Sequence, residues 1–312
     1  MDFNWHTWLS FLLPYEEGTT VYNKICGNSP LNSPWSVTSG AGCYMSTWTY
    51  ANSGCCQVDP CASIRPAAQV IASYVCPSAP RNSNPFKEHA YMFGACCGAL
   101  NCCHPQPCYT WNRIAGAADY HAVGAFKDCL QRWIKVNTPV PCREKCSNGC
   151  GVLFCLRGPG QTESMGVGVD QVVDGTSTTI LCTENAGKPD LWVRGVKHTI
   201  SCACQSPYLF QVCGTGYNIS NPGGCWACWN NAIHTVVGSN FSGNGPAAKN
   251  GPTCFFNCTN ENNVNVIYSF HPGTGGVAMC DGSAHMLSED ISVVVFNRLF
   301  TYRGRTAVTD SF

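Results

Sequence analysis

The 312-residue chain has 18 Lys and Arg, 18 Asp and Glu, and a formal net charge of zero at pH 7. These charged residues are only 12% of the chain and form no basic block, which argues against nucleic-acid or anionic-membrane binding. The low charge, together with 31 Gly and 19 Pro, indicates a loop-rich β protein of the cell exterior and argues against a cytosolic enzyme.

Cysteine is the most informative residue type in the chain. Its 25 copies predict a disulfide-stapled scaffold, and metal loading is the alternative. Because the count is odd, at least one thiol is free, metal-bound or joined to another chain. The main disulfide candidates are Cys96, Cys97, Cys102, Cys103, Cys108, Cys142, Cys146, Cys150, Cys155, Cys225 and Cys228.

The N-terminal half is predicted to be cysteine-rich and partly helical. Residues 5–24 favour a helix that is interrupted at Pro14. Residues 67–75 fit either a helix or a strand that ends before Pro77. Apolar residues at helical spacing predict a further helix over residues 117–134.

The C-terminal half is predicted to be β-rich. Strands are expected over residues 178–182, after a turn at Asp174 and Gly175, and over residues 191–200. Period-two alternation predicts another strand over residues 264–270.

The last predicted element is a hairpin formed by residues 277–280 and 283–287. Asp281 and Gly282 are expected to form its two-residue type I′ turn, with φ above zero at both positions. The predicted fold class is therefore α+β, with a loop-rich, disulfide-stapled part over residues 1–160. An antiparallel sheet is expected in the β-rich part over residues 161–312.

His271 and Asp281 have two interpretations. In the favoured one they are structural residues of the hairpin, since His271 precedes Pro272 and is biased to extended backbone geometry. In the alternative the two side chains meet across the hairpin and bind a metal or a proton.

No catalytic site is predicted. The sequence has no G-x-S-x-G, H-E-x-x-H, Walker or dinucleotide-binding motif. A catalytic thiol must be singular and reduced, which disagrees with so many cysteines. Enzymatic activity is therefore not expected.

No cofactor is expected either, although zinc and calcium remain alternatives. Cys225 and Cys228 have the spacing of a zinc ribbon, but the chain has no second C-x2-C pair. A glycan or Ca²⁺ site is a further alternative to a packing role for the tryptophans. Its candidate residues are Trp192, Trp226, Trp229, Asn230, Asn231, Asp170 and Asp174.

Several motifs in the expected order resemble a large bacterial family of prepilin-like proteins. The first is H-x9-DG, formed here by His271, Asp281 and Gly282. The others are residues 5–17 (WHTWLSFLLPYEE), 71–77 (IASYVCP), 116–120 (GAADY) and 174–180 (DGTSTTI), the last followed by Glu184 and Gly187. The resemblance covers nearly the whole chain.

The resemblance implies the extracytoplasmic head of a type IV pilin or secretion pseudopilin, or a solute-binding-like head. Such proteins begin with a basic leader and a long apolar helix, whereas this sequence begins MDFNW. We therefore expect a processed or truncated head, or a member that assembles without that helix. Contact with a membrane is expected only through a segment upstream of Met1.

The expected function is that of a structural subunit in a filament or secretion-type assembly, located outside the cell or on its surface. Its expected partners are copies of itself, because an odd cysteine and exposed β edges favour lateral contact. The alternative is a surface module that binds a solute or glycan.

Overall fold

The computed structural model describes residues 8–25, 68–91, 110–126, 151–153, 167–198, 224–226, 234–236, 238–239, 254–261 and 267–304. The helices are α1 (Trp8–Leu12), α2 (Thr19–Ile25) and α3 (Val293–Phe300). The strands are β1 (Phe86–Tyr91), β2 (Thr110–Ala115), β3 (Tyr120–Phe126), β4 (Ile180–Glu184), β5 (Leu191–Val193), β6 (Val196–His198), β7 (His234–Val236), β8 (Thr274–Met279) and β9 (Ala284–Ser288).

The chain forms two compact units. Unit 1 contains residues 1–119, 187–191 and 197–232, and unit 2 contains residues 120–186, 192–196 and 233–312. The predicted division at residues 160 and 161 stays a prediction, since it follows cysteine content whereas the units follow spatial contacts.

The core of unit 1 is built around its short N-terminal helices. Leu9 and Leu13 are buried against Tyr74 and Trp226. The Tyr74 hydroxyl donates to the Leu9 carbonyl at 2.7 Å, so the buried phenol has a partner. The predicted interruption at Pro14 is confirmed, because α1 ends at Leu12 and a 3-10 helix follows.

A five-stranded sheet forms the centre of unit 2, in the order β7-β3-β4-β8-β9. The β3–β7 pair is parallel and the other pairs are antiparallel. The core against this sheet contains Ile180, Phe256, Ile267, Val277, Met279, Leu287, Phe296, Leu299 and Phe300. The last three of these belong to α3, whose first turn is capped by the Ser292 hydroxyl accepting from the Val294 N–H.

These elements confirm the predicted α+β class. Antiparallel pairing dominates the described C-terminal sheet, and a disulfide joins Cys254 to Cys258. Within the described ranges, no helix is long and apolar enough to span a bilayer.

The helix predicted over residues 117–134 is wrong where the structure describes it. Residues 120–126 form β3, which lies between β4 and β7 in the sheet. A short apolar run fits both periodicities, and pairing on both sides selects the strand. Of the strand predicted over residues 264–270, residues 264–266 lie outside the described residues, and Ile267 and Tyr268 form isolated bridges.

The β8–β9 hairpin forms where it was predicted, but its turn differs. The Gly282 N–H donates to the Met279 carbonyl at 3.0 Å, and the Met279 N–H donates to the Ser283 carbonyl at 2.8 Å. Of Asp281 and Gly282, only the glycine has positive φ, at 87°. The loop therefore has three residues and a glycine bulge, and the predicted type I′ turn is wrong here.

A two-residue hairpin does occur between β5 and β6. Arg194 and Gly195 connect these strands with φ values of 48° and 77°. Positive φ at both loop positions is the requirement of a type I′ turn. The single strand predicted over residues 191–200 is therefore two short strands, and the prediction missed the turn between them.

The hairpin gives a stability prediction for Gly282→Val. No atom would crowd a new Cβ at Gly282, so the cost arises from its left-handed backbone. We expect a loss of about 1–2 kcal/mol in the free energy of unfolding, measured with urea. Gly282→Asn is expected to lose less, since Asn tolerates this backbone region.

Ala284→Val is the matched control, since it places the same side chain at an exposed position of β9. Its unfolding free energy is expected to stay within about 0.5 kcal/mol of the wild type. Equal losses in Gly282→Val and Ala284→Val would contradict the backbone explanation.

Candidate functional site

Two motif residues that are far apart in sequence meet in unit 2. Glu184 is the last residue of β4, and His271 lies shortly before β8. Because β4 and β8 pair antiparallel, the end of one strand lies beside the start of the other. A carboxylate oxygen of Glu184 and a ring nitrogen of His271 lie within 4.8 Å of each other.

The Glu184 carboxylate is buried and only partly hydrogen-bonded. Glu184 is only 1% exposed to solvent. Oε2 accepts from the Gly276 N–H at 3.1 Å. Oε1 has no hydrogen-bond partner among the residues that the structure describes. A buried carboxylate oxygen without a hydrogen-bond partner lowers the stability of the fold unless another group compensates it.

The backbone around His271 is held by local hydrogen bonds. The His271 N–H donates to the Ser269 hydroxyl at 3.1 Å, and its carbonyl accepts from the Thr274 N–H at 3.2 Å. The Tyr268 N–H donates to the Glu184 carbonyl at 3.1 Å. These bonds fix the segment that carries the half-buried imidazole beside the end of β4.

Gly276 lies beside this pair. A Cβ built there would lie 3.4 Å from Glu184 Oε2, in ordinary van der Waals contact. Carboxylate oxygen and imidazole nitrogen are both ligands of divalent transition metals, and both can exchange protons. The pair is thus the strongest candidate site in the described part of unit 2.

Asp281 does not take part in this pair. It follows β8 whereas His271 precedes it, so the whole strand separates the two residues. Asp281 Oδ1 instead accepts from the Ser283 hydroxyl at 2.6 Å and from the Ser283 N–H at 2.9 Å. These bonds lower the pKa of the Asp281 carboxyl. The alternative in which His271 meets Asp281 is therefore wrong.

Asp174 and Gly175 form a structural turn, as predicted. Asp174 Oδ2 accepts from the Gly304 N–H at 2.5 Å and from the Thr301 hydroxyl at 3.4 Å. Gly175 has a φ of 99°, which favours glycine. This turn ties the segment before β4 to the end of α3.

Asp119 in unit 1 is a buried residue whose role the sequence left unassigned. Its carboxylate accepts from the Cys76 N–H at 2.8 Å and the Gly187 N–H at 3.1 Å, and it pairs with the Arg81 guanidinium. Arg81 also donates to the Lys188 carbonyl at 2.6 Å. Burial raises the pKa of Asp119, and the Arg81 charge offsets this in part. Its place in the GAADY motif was the available signal.

The tryptophan candidates for a glycan site are mostly engaged in packing. Trp226 is fully buried in unit 1 and donates through Nε1 to the Gln69 carbonyl at 2.9 Å. Trp192 packs edge-on against Phe270, with ring centroids 4.9 Å apart. Trp229 and the following two asparagines lie outside the described residues.

The predicted disulfide candidates lie outside the described residues, with the exception of Cys225, which is buried in the core of unit 1. The described disulfide between Cys254 and Cys258 was not among them. Cys182 and Cys280 are free thiols of unit 2. Burial raises the pKa of Cys182 to about 12 and that of Cys280 to about 11.

Comparison with known proteins gives one family match. The sequence model of the family SBP_bac_10, described as "Protein of unknown function (DUF1559)", matches residues 1–293. Neither a curated protein nor a solved structure matches the chain.

The Asp119 network gives a second stability prediction. Asp119→Asn removes the charge that faces the buried Arg81, and breaking a buried pair costs about 3–5 kcal/mol. Asp190→Asn is the control, since it breaks a pair with Lys197 in which both side chains are partly exposed. We expect a loss of about 1 kcal/mol or less for that variant. Chemical denaturation measures both, and similar losses would contradict the proposed role of Asp119.

The free thiols give a prediction about reactivity. Thiolate is the reactive form, so at pH 8 it is about 100-fold rarer for Cys280 and about 1000-fold rarer for Cys182 than for a thiol of pKa 9.0. We expect slow iodoacetamide labelling of both native thiols and fast labelling after unfolding in urea. Peptide mass spectrometry measures each site, and rapid labelling of either residue in the native protein would contradict the prediction.

Proposed function

The chain belongs to the family described as "Protein of unknown function (DUF1559)". From this membership, and from the edge strand of the five-stranded sheet in the described residues, we propose that it is a pilin-like structural subunit. We place it outside the cell or on its surface, where it assembles with copies of itself. The observation that carries this proposal is strand β9, which ends the sheet.

The hydrogen-bond pattern of β9 supports edge pairing. The Glu289 N–H donates to the Gly273 carbonyl, and the Met279 N–H donates to the Ser283 carbonyl. In β9, between these two hydrogen-bonded pairs, every second residue therefore directs its backbone N–H and C=O groups toward β8. The intervening backbone groups, including those of Met286, point away from β8. No described segment pairs with them. Such groups are a template for a strand of another chain.

The side chains of β9 also favour association. Its sequence, AHMLS, has no Lys, Asp, Glu or Pro. Natural sheets protect exposed edges with Lys, Pro or bulges, and β9 has no such residue. Met286 is 50% exposed and adds apolar surface. A second copy of this strand is thus a chemically suitable partner.

The cysteine chemistry supports an extracytoplasmic location. The Cys254–Cys258 disulfide and the total of 25 cysteines fit an oxidising compartment. Disulfides are rare in the reducing cytosol. The ordered prepilin-like motifs point to the same compartment.

Substitution of Met286 tests the assembly. We expect the purified chain to form oligomers or filaments. The Met286→Lys variant is expected to need a protein concentration at least about tenfold higher for assembly, because the substitution places a charge on the sheet edge. Val169→Lys is the control, since Val169 is 72% exposed and lies outside the sheet. Light scattering and electron microscopy measure the outcome.

Two results would overturn the proposal. The first is a wild-type chain that stays monomeric at high concentration and binds glycans, which would favour the surface-binding module. The second is a Met286→Lys variant that folds, as judged by circular dichroism, and assembles as well as the wild type.

A further inference from the structure

We propose that Glu184 and His271 bind a divalent metal ion of the zinc type. The inference is independent of the assembly proposed above. It starts from the buried Oε1 of Glu184, which has no hydrogen-bond partner among the described residues. A carboxylate in a residue only 1% exposed requires compensation by a proton, a hydrogen-bond donor or a cation.

The neighbouring imidazole selects a cation with nitrogen affinity. A ring nitrogen of His271 lies within 4.8 Å of a Glu184 carboxylate oxygen. Two ligand atoms on a tetrahedral zinc ion at about 2.0–2.2 Å lie ~3.4 Å apart. A small side-chain rotation therefore closes this distance, and the two residues supply two of the four positions of zinc.

The donor types exclude calcium as the preferred ion. Calcium takes about six to eight oxygen ligands, whereas this pair combines one carboxylate with one imidazole. Imidazole and carboxylate together suit zinc and similar first-row metals. Zinc is therefore the ion to test.

The surroundings support the pair as a built site. The Gly276 N–H holds Glu184 Oε2 and so leaves Oε1 as the available ligand atom. The backbone of His271 is fixed at its N–H by Ser269 and at its carbonyl by Thr274. The His271 side chain is only half-buried, which provides a route for an ion from solvent. A bound ion would join the end of β4 to the segment before β8.

The test is zinc titration of the full-length, non-reduced chain after removal of metal with a chelator. Isothermal calorimetry measures affinity, and thermal unfolding measures the stabilisation that binding to the folded state produces. We expect Glu184→Gln and His271→Gln each to weaken zinc binding by at least about tenfold and to remove the shift in melting temperature, since each substitution removes one ligand.

His285→Gln is the matched control. His285 is an exposed histidine of β9 whose Nε2 lies 3.1 Å from the Ser283 hydroxyl. Its substitution by Gln is expected to leave the zinc affinity unchanged. If Glu184→Gln fails to fold, the test still rests on His271→Gln, since His271 is only half-buried and its substitution perturbs the core less. Zinc binding that is absent from the wild type, or equally strong in wild type and His271→Gln because cysteines bind the ion, would overturn the proposal.

Discussion

The antiparallel pairing of β4 with β8 is the constraint on which unit 2 depends. It places Ile180 opposite Met279 inside the hydrophobic core, and it brings the end of β4 to the start of β8. The sheet continues from these two strands to β3 on one side and β9 on the other. Loss of this pairing would separate the core strands and the candidate metal ligands at once.

A bulge in that pairing decides which face of the sheet Glu184 occupies. Ile180 is opposite Met279, and Cys182 is opposite Ala278, so β4 has one extra residue. Without it, alternation would place Cys182 and Glu184 on the same face as Ile180, in the apolar core. The irregularity instead turns Glu184 toward Gly276, where an N–H is available.

Two of the carboxylates buried within the described residues, Asp119 and Glu184, differ in how completely hydrogen bonds compensate them. Asp119 is compensated by Arg81 and by the N–H groups of Cys76 and Gly187. Glu184 has one described donor for two oxygens. The first arrangement is complete and suits a structural role, whereas the second leaves an atom to compensate.

The sequence by itself determined the features that depend on near neighbours. Pro14 ends the first helix, and the glycine of the Asp281-Gly282 pair marks a chain reversal, because backbone sterics act within a few residues. The hairpin predicted from residues 277–280 and 283–287 overlaps β8 and β9, although β8 begins earlier, at Thr274. The ordered motifs were sufficient to indicate the family.

Only the tertiary structure decided which distant segments meet. β3 is a strand because β4 and β7 pair with it, although its local spacing also fits a helix. Likewise, the β8–β9 turn has three loop residues because Met279 and Ser283 form the last hydrogen-bonded pair of the hairpin. His271 meets Glu184 through the pairing of β4 with β8, and local periodicity contains no information about such long-range pairs.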